Sequence, residues 1–163
     1  MKEIIVYHGG TEIIEQPICK FGRMNLDFGQ GFYVTNIHEQ ACKWAINIAK
    51  SRNKKAVLNR YKLKRATILE NARCKIFEQY DVEWLKFIIA NRSGEDAAAN
   101  YDYVEGGVAN DRVIDTINLY LAGLIELEST LKELSKHQPN NQMCILNQDI
   151  VNKYLIFDGT EEL

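Results

Sequence analysis

Proline is almost missing from this chain, with two residues in 163, and no Pro/Ser/Gly-rich or low-complexity tract divides it. Nothing marks a linker, so residues 1–163 read as a single domain. An excess of charge of one sign is missing too. Twenty Lys+Arg against twenty-two Asp+Glu leave a net charge of -2, which excludes the sequence-wide basic field that draws proteins to nucleic acid or anionic membranes. No apolar run reaches the roughly 20 residues that span a bilayer. The opening Met1-Lys2-Glu3-Ile4-Ile5-Val6-Tyr7 turns polar too soon for a secretory core, so the expected compartment is the cytoplasm, with no membrane partner. Cys19, Cys42, Cys74 and Cys144 never form a C-x-x-C pair. A zinc knuckle or redox site is therefore not expected, and the four read as reduced, mostly buried thiols. What the chain does have is 46% hydrophobic residues, enough for a sizeable core.

Hydrophobic periodicity sketches the elements. Ile4-Ile5-Val6-Tyr7 predicts a short buried strand stopped by His8-Gly9-Gly10, and Gly31-Phe32-Tyr33-Val34-Thr35 predicts a second. Asn36, with Glu39 three residues on, predicts a capped helix with Ala41, Trp44, Ala45 and Ile48 on one face. Alternation from Val57 to Lys64 predicts a strand with a basic outer face at Arg60, Lys62 and Lys64. Asp81 is expected to cap a helix turning Trp84, Leu85 and Ile88 inward. Tyr101-Asp102-Tyr103-Val104 reads as a strand, Ile114, Ile117, Leu121 and Leu124 as a helix ending near Gly123, and Leu127, Leu131 and Leu134 as another. After the loop His137-Gln138-Pro139-Asn140-Asn141, Met143-Cys144-Ile145-Leu146 reads as an apolar strand. Asn147 then caps a last helix carrying Ile150, Val151, Tyr154 and Leu155, and Ile156-Phe157 closes the core. Strands and helices mix without βαβ alternation, which predicts an α+β fold.

Three places could carry chemistry. At His8-Gly9-Gly10 a strand-terminal imidazole can aim a ring nitrogen at a ligand hydroxyl while glycines let the backbone approach closely; the alternative is a surface turn. In Asp27-Phe28-Gly29-Gln30-Gly31-Phe32-Tyr33-Val34-Thr35 the glycines suit a ligand-hugging loop and the aromatics a stacking wall; the alternative is a hairpin with an aromatic strand. The stretch has neither the third glycine and acidic residue of a Rossmann turn nor a Walker lysine. Asn110-Asp111 could bind substrate or supply a carboxylate, or simply cap the helix that follows. His38 and His137 have no partner at metal-ligand spacing, and no metal is expected. The basic run from Lys50 to Arg65 suits phosphates, nucleic acid or an acidic partner, or else a solvated face.

These pieces, in this order, resemble the ADP-ribosyltransferase fold, and more closely a bacterial family of unknown function that shares its core. The resemblance is carried by Tyr7-His8-Gly9-Gly10, the Asp27 to Thr35 stretch, Gln40-Ala41-Cys42-Lys43-Trp44-Ala45, Trp84 with Phe87, Asn91-Arg92, Val108-Ala109-Asn110-Asp111 and Asn141-Gln142-Met143-Cys144-Ile145. It implies split, mostly antiparallel sheets with flanking helices, and NAD as the bound substrate. In the His-Tyr-Glu class of such enzymes the first-strand His bonds the adenosine ribose, the next residue holds the nicotinamide amide through its backbone, and the Tyr stacks on the nicotinamide. Those positions match His8, Gly9 and Tyr33. The implied NAD contacts are His8, Gly9, Gly10, Gly31, Phe32, Tyr33, Thr35 and Asn110, and the implied catalytic set is His8, Tyr33, Gln142 and Asp111.

At the third position of that class, a Glu that supports the oxocarbenium-like charge as nicotinamide leaves, this chain has Gln142. A Gln can hydrogen-bond a ribose hydroxyl, but it brings no negative charge and is no base. Two functions follow from the resemblance. One is a mono-ADP-ribosyltransferase acting on a macromolecular acceptor, the larger, toxin member of a toxin–antitoxin pair with a small partner protein. The other is an inactive module that binds NAD or a nucleotide without turnover. A nucleic-acid binder using the Lys50 to Arg65 face is a third reading.

Overall fold

The computed structural model describes residues 2–136 and 140–163, apart from the side chain of Asp111. His137 and Pro139 of the expected polar loop lie outside the described residues. Seven strands and six α-helices occur among those described. The strands are β1 (Ile4–Gly10), β2 (Phe32–Val34), β3 (Val57–Leu63), β4 (Cys74–Ile76), β5 (Tyr103–Gly106), β6 (Gln142–Ile145) and β7 (Leu155–Glu162). The helices are α1 (His38–Arg52), α2 (Arg65–Asn71), α3 (Val82–Arg92), α4 (Asp111–Leu121), α5 (Leu127–Leu134) and α6 (Gln148–Tyr154). They build an α+β fold on two sheets, one in the order β1-β3-β7 and one in the order β2-β6-β5-β4. All pairings are antiparallel except β4 with β5. The sheets meet at one bridge, where the Tyr7 N–H donates to the Thr35 carbonyl at 2.8 Å and the Thr35 N–H to the Tyr7 carbonyl at 2.9 Å.

Strand alternation sorts the side chains of the first sheet. Val6 pairs with Tyr61 and His8 with Asn59 on the inner face, where Val6 and Tyr61 join Phe32, Tyr103, Met143 and Ile145 in a buried cluster. On the outer face α1 lies over Gly9 and Leu58, and its buried stripe Ala41, Ala45 and Ala49 is small enough for close approach. A Cβ at Gly9 would collide with the Ala41 carbonyl oxygen, so glycine is what lets helix and strand touch. Farther along the same face Arg60 and Lys62 emerge and pair with Asp158, the basic face that the alternation predicts.

Several expectations are met in detail. The Asp81 carboxylate accepts from the Trp84 N–H at 2.9 Å and caps α3, whose Trp84, Leu85 and Ile88 are buried. Asn147 caps α6 by accepting from the Asp149 N–H at 2.9 Å. Others are corrected. β1 does not stop at His8-Gly9-Gly10 but runs through it, because β3 supplies partners as far as Val57. Asn36 does not cap α1: Ile37 holds that position with no side-chain bond, and the Asn36 Oδ1 accepts from the Asn141 Nδ2 at 3.1 Å. The inward face of α4 is Val113 and Ile117, whereas Leu121 and Leu124 are 58% and 71% exposed. Two short elements, α2 and β4, are absent from the sequence reading. No helix among the described residues is long and apolar enough to cross a membrane.

Candidate functional site

Beyond the Tyr7–Thr35 bridge β1 and β2 part, and a cavity of about 750 Å³ opens there with walls from both sheets. The alternation of backbone groups along β1 decides what the parting exposes. In an antiparallel strand the N–H and C=O of successive residues point to opposite edges. His8 therefore bonds across to β3, while Gly9, like Tyr7, turns both groups toward β2. Tyr33 on β2 turns its own carbonyl back toward β1 and accepts from the His8 Nδ1 at 2.7 Å.

That bond fixes the tautomer of His8: Nδ1 carries the proton, leaving Nε2 as an acceptor. The ring is stacked on Phe32, with centroids 4.5 Å apart and planes at 24°. Burial pushes the imidazole pKa down, against a smaller opposing effect of the Tyr33 carbonyl, and so keeps the ring neutral.

The Tyr33 hydroxyl is committed elsewhere. It donates to the Gly29 carbonyl at 2.6 Å and accepts from the Phe28 N–H at 3.1 Å, and burial drives its pKa far above the ordinary value. A phenol so held is no general base, and what Tyr33 offers the cavity is its ring. Gly31 lines the same wall because β6 passes too close for any side chain, with the Cys144 Sγ 2.7 Å from where a Cβ would stand.

Gln142, the first residue of β6, is 4% exposed and reaches the same cavity. Its Nε2 donates to the Asp27 Oδ2 at 3.4 Å. Asp27 is itself buried and receives the Arg92 Nε on Oδ1 at 2.6 Å and the Ala109 N–H on Oδ2 at 3.3 Å. The Asn91 Nδ2 adds a bond of 2.9 Å to the Asp27 carbonyl. Asp27 and Arg92 are cavity-wall residues that the sequence reading leaves outside its site. Both stand in stretches that draw attention, but 65 positions separate them, and only the fold brings them together.

The cavity is covered by the loop after β1. Asn59, fully buried on β3, donates from Nδ2 to the Glu12 carbonyl at 2.9 Å and accepts from the Ile14 N–H at 3.0 Å. The Tyr61 hydroxyl donates to the Ile14 carbonyl at 2.6 Å. Trp44 and Ile48, expected to face the core from α1, line the cavity, and Phe21 stands at its edge, 85% exposed.

His8, Phe32, Tyr33, Gly31 and Gln142 thus share one wall system, and Gly9 turns its backbone toward the same parting. Gly10, Thr35 and Asn110 are not among the residues that line the cavity. Gly10 pairs with Val57 at the end of the ladder. Thr35 is buried, its Oγ1 donating to the Asn141 carbonyl at 2.7 Å. Asn110 is exposed and caps α4 by accepting from the Val113 N–H at 3.0 Å, the capping alternative. Asp111 opens α4, and its side chain lies outside the described residues. Half of the basic run is absorbed by ion pairs of Lys55 with Glu162, Arg60 and Lys62 with Asp158, and Arg65 with Glu105. All four cysteines are free, Cys19 and Cys144 buried and the other two half-buried. Among the described residues no three His, Cys, Asp or Glu side chains cluster to hold a metal.

No curated protein and no solved structure matches this chain. A family model described as "Protein of unknown function (DUF3990)" matches residues 4–157, nearly the whole length, and the chain therefore belongs to that family.

Proposed function

We propose that this protein has an ADP-ribosyltransferase-like fold and is a mono-ADP-ribosyltransferase that consumes NAD and transfers ADP-ribose to a macromolecular acceptor. The observation that carries the reading is the convergence of His8, Tyr33 and Gln142, from β1, β2 and β6, on one cavity where two sheets part. His8, Gly9 and Tyr33 each have the state the chemistry asks for. The neutral His8 ring presents an acceptor nitrogen for a ribose hydroxyl. The Gly9 N–H and C=O form a donor–acceptor pair matched to a carboxamide, the polar group of nicotinamide. The Tyr33 ring, anchored through its hydroxyl, is a rigid platform for a pyridinium face. Such a site works by holding NAD with its glycosidic bond aligned for cleavage, so positioning supplies much of the rate.

The test is nicotinamide release from NAD by the purified protein with cell lysate as a source of acceptors, beside Tyr33→Ala and His8→Ala. The expected result is release by the wild type, label from the ADP-ribose half on a macromolecule, and a drop of at least about tenfold in each variant. NAD binding without release would favour the interaction module, and no NAD binding would overturn the reading.

A further inference from the structure

The proposed transfer develops positive charge on a ribose, and Gln142 brings no charge to oppose it. Among the described residues the cavity wall carries three carboxylates: Glu12, Glu15 and Asp27. Glu12 and Glu15 are exposed on the covering loop, where water screens them. Asp27 is 8% exposed and is the one in contact with Gln142. Its two oxygens are used unequally. Oδ1 takes two short contacts from Arg92, 2.6 Å from Nε and 2.5 Å from Nη2, whereas Oδ2 has two long bonds, 3.3 Å from the Ala109 N–H and 3.4 Å from the Gln142 Nε2.

We propose that Asp27, not the residue at position 142, is the acidic catalytic group of this site, with Arg92 and Gln142 as the residues that position it. The inference rests on the NAD-consuming reading above. Arg92 pairs with Oδ1 and offsets part of the carboxylate's charge, while its greater exposure, 40% of the side chain against 10% for that of Asp27, leaves the guanidinium the better solvated of the two. Oδ2 retains lone-pair capacity for a hydroxyl of the nicotinamide ribose. In the reaction the bond between ribose C1′ and the pyridinium nitrogen breaks, and its electron pair leaves with nicotinamide as a neutral base. The positive charge left on C1′ and the ring oxygen is opposed by Asp27. The acceptor's nucleophilic oxygen or nitrogen then bonds to C1′ and gives its proton to solvent.

The experiment compares NAD binding and nicotinamide release for the wild type, Asp27→Asn, Gln142→Glu and the double variant Asp27→Asn/Gln142→Glu. Asp27→Asn is expected to bind NAD within a few-fold of the wild type and to release nicotinamide about 10²–10³-fold more slowly. Moving the carboxylate to position 142 in the double variant is expected to restore at least about tenfold, which a purely structural role for Asp27 would not produce. If Asp27→Asn unfolds because Arg92 is left unpaired, Asp27→Asn/Arg92→Met, with and without Gln142→Glu, replaces it. A wild type that releases nicotinamide beside an undiminished Asp27→Asn, or a lost activity that Gln142→Glu does not restore, overturns the assignment of Asp27 alone. A wild type that neither binds nor cleaves NAD overturns the functional reading and this inference with it.

Discussion

The imidazole of His8 is held by a carbonyl on one nitrogen and a phenyl ring on one face, and although the carbonyl favours the charged form, burial outweighs it. Burial lowers its pKa below the ordinary 6.5. In the unfolded chain the same group protonates as pH falls past that value, so the unfolded state then binds more protons and gains on the native one. The stability contributed by a neutral His8 is therefore complete above about pH 6.5 and is lost on acidification below it. Melting temperatures of the wild type and His8→Gln across pH 5–8 are expected to show the wild type losing more of its stability toward pH 5. At this scale His8 and Tyr33 stand out in the chain by residue type and local setting, Gln142 stands out only through the family resemblance, and partnership is hidden. The Asp27–Arg92 pair and the anchoring of the Glu12–Ile14 segment by Asn59 depend on contacts across 65 and about 45 positions, and no local signal encodes those.

Elements whose signals are local are the ones that reading the chain recovers. Asp81 and Asn147 cap helices because an Asx side chain satisfies N–H groups two or three residues on, wherever the helix then packs. The miss at α1 has a tertiary cause: Asn36 has the right chemistry for a cap but is drawn to Asn141 across the fold. The miss at α4 is one of rotation. Apolar residues at 113, 114, 117, 121 and 124 fit two overlapping faces, and packing chose the one with Val113 and Ile117. At the head of that helix Asn110 acts through the backbone of Val113. Asn110→Ala is expected to cost about 1 kcal/mol in denaturant unfolding while nicotinamide release per folded molecule stays at the wild-type rate; a large loss of release would return Asn110 to the binding site.

For the molecule as a whole, the mixture of helices and strands was legible in the hydrophobic patterns, although from β2 onward a helix lies between every two consecutive strands, and it is the pairing, antiparallel except for β4 with β5, that sets the fold apart from a doubly wound one. The strand order was not, since which edges meet is settled by long-range packing of Val6, Tyr61, Phe32 and Met143 in one cluster. The same packing joins the backbones of the two sheets at Tyr7 and Thr35, and farther toward Gly10 the link between β1 and β2 passes through the His8 side chain. A consequence concerns proton exchange with solvent. His8 and Gly9 are neighbours in one strand, yet the His8 amide is tied into the ladder with β3 and the Gly9 amide points into the parting. Past the Tyr7–Thr35 bridge the backbone amides of β1 should therefore lose deuterium protection at Gly9, while those at positions 8 and 10 keep it, as residue-resolved exchange by NMR would read. Saturating NAD should slow exchange at Gly9 selectively, which makes a single amide hydrogen the gauge of whether the parting is occupied.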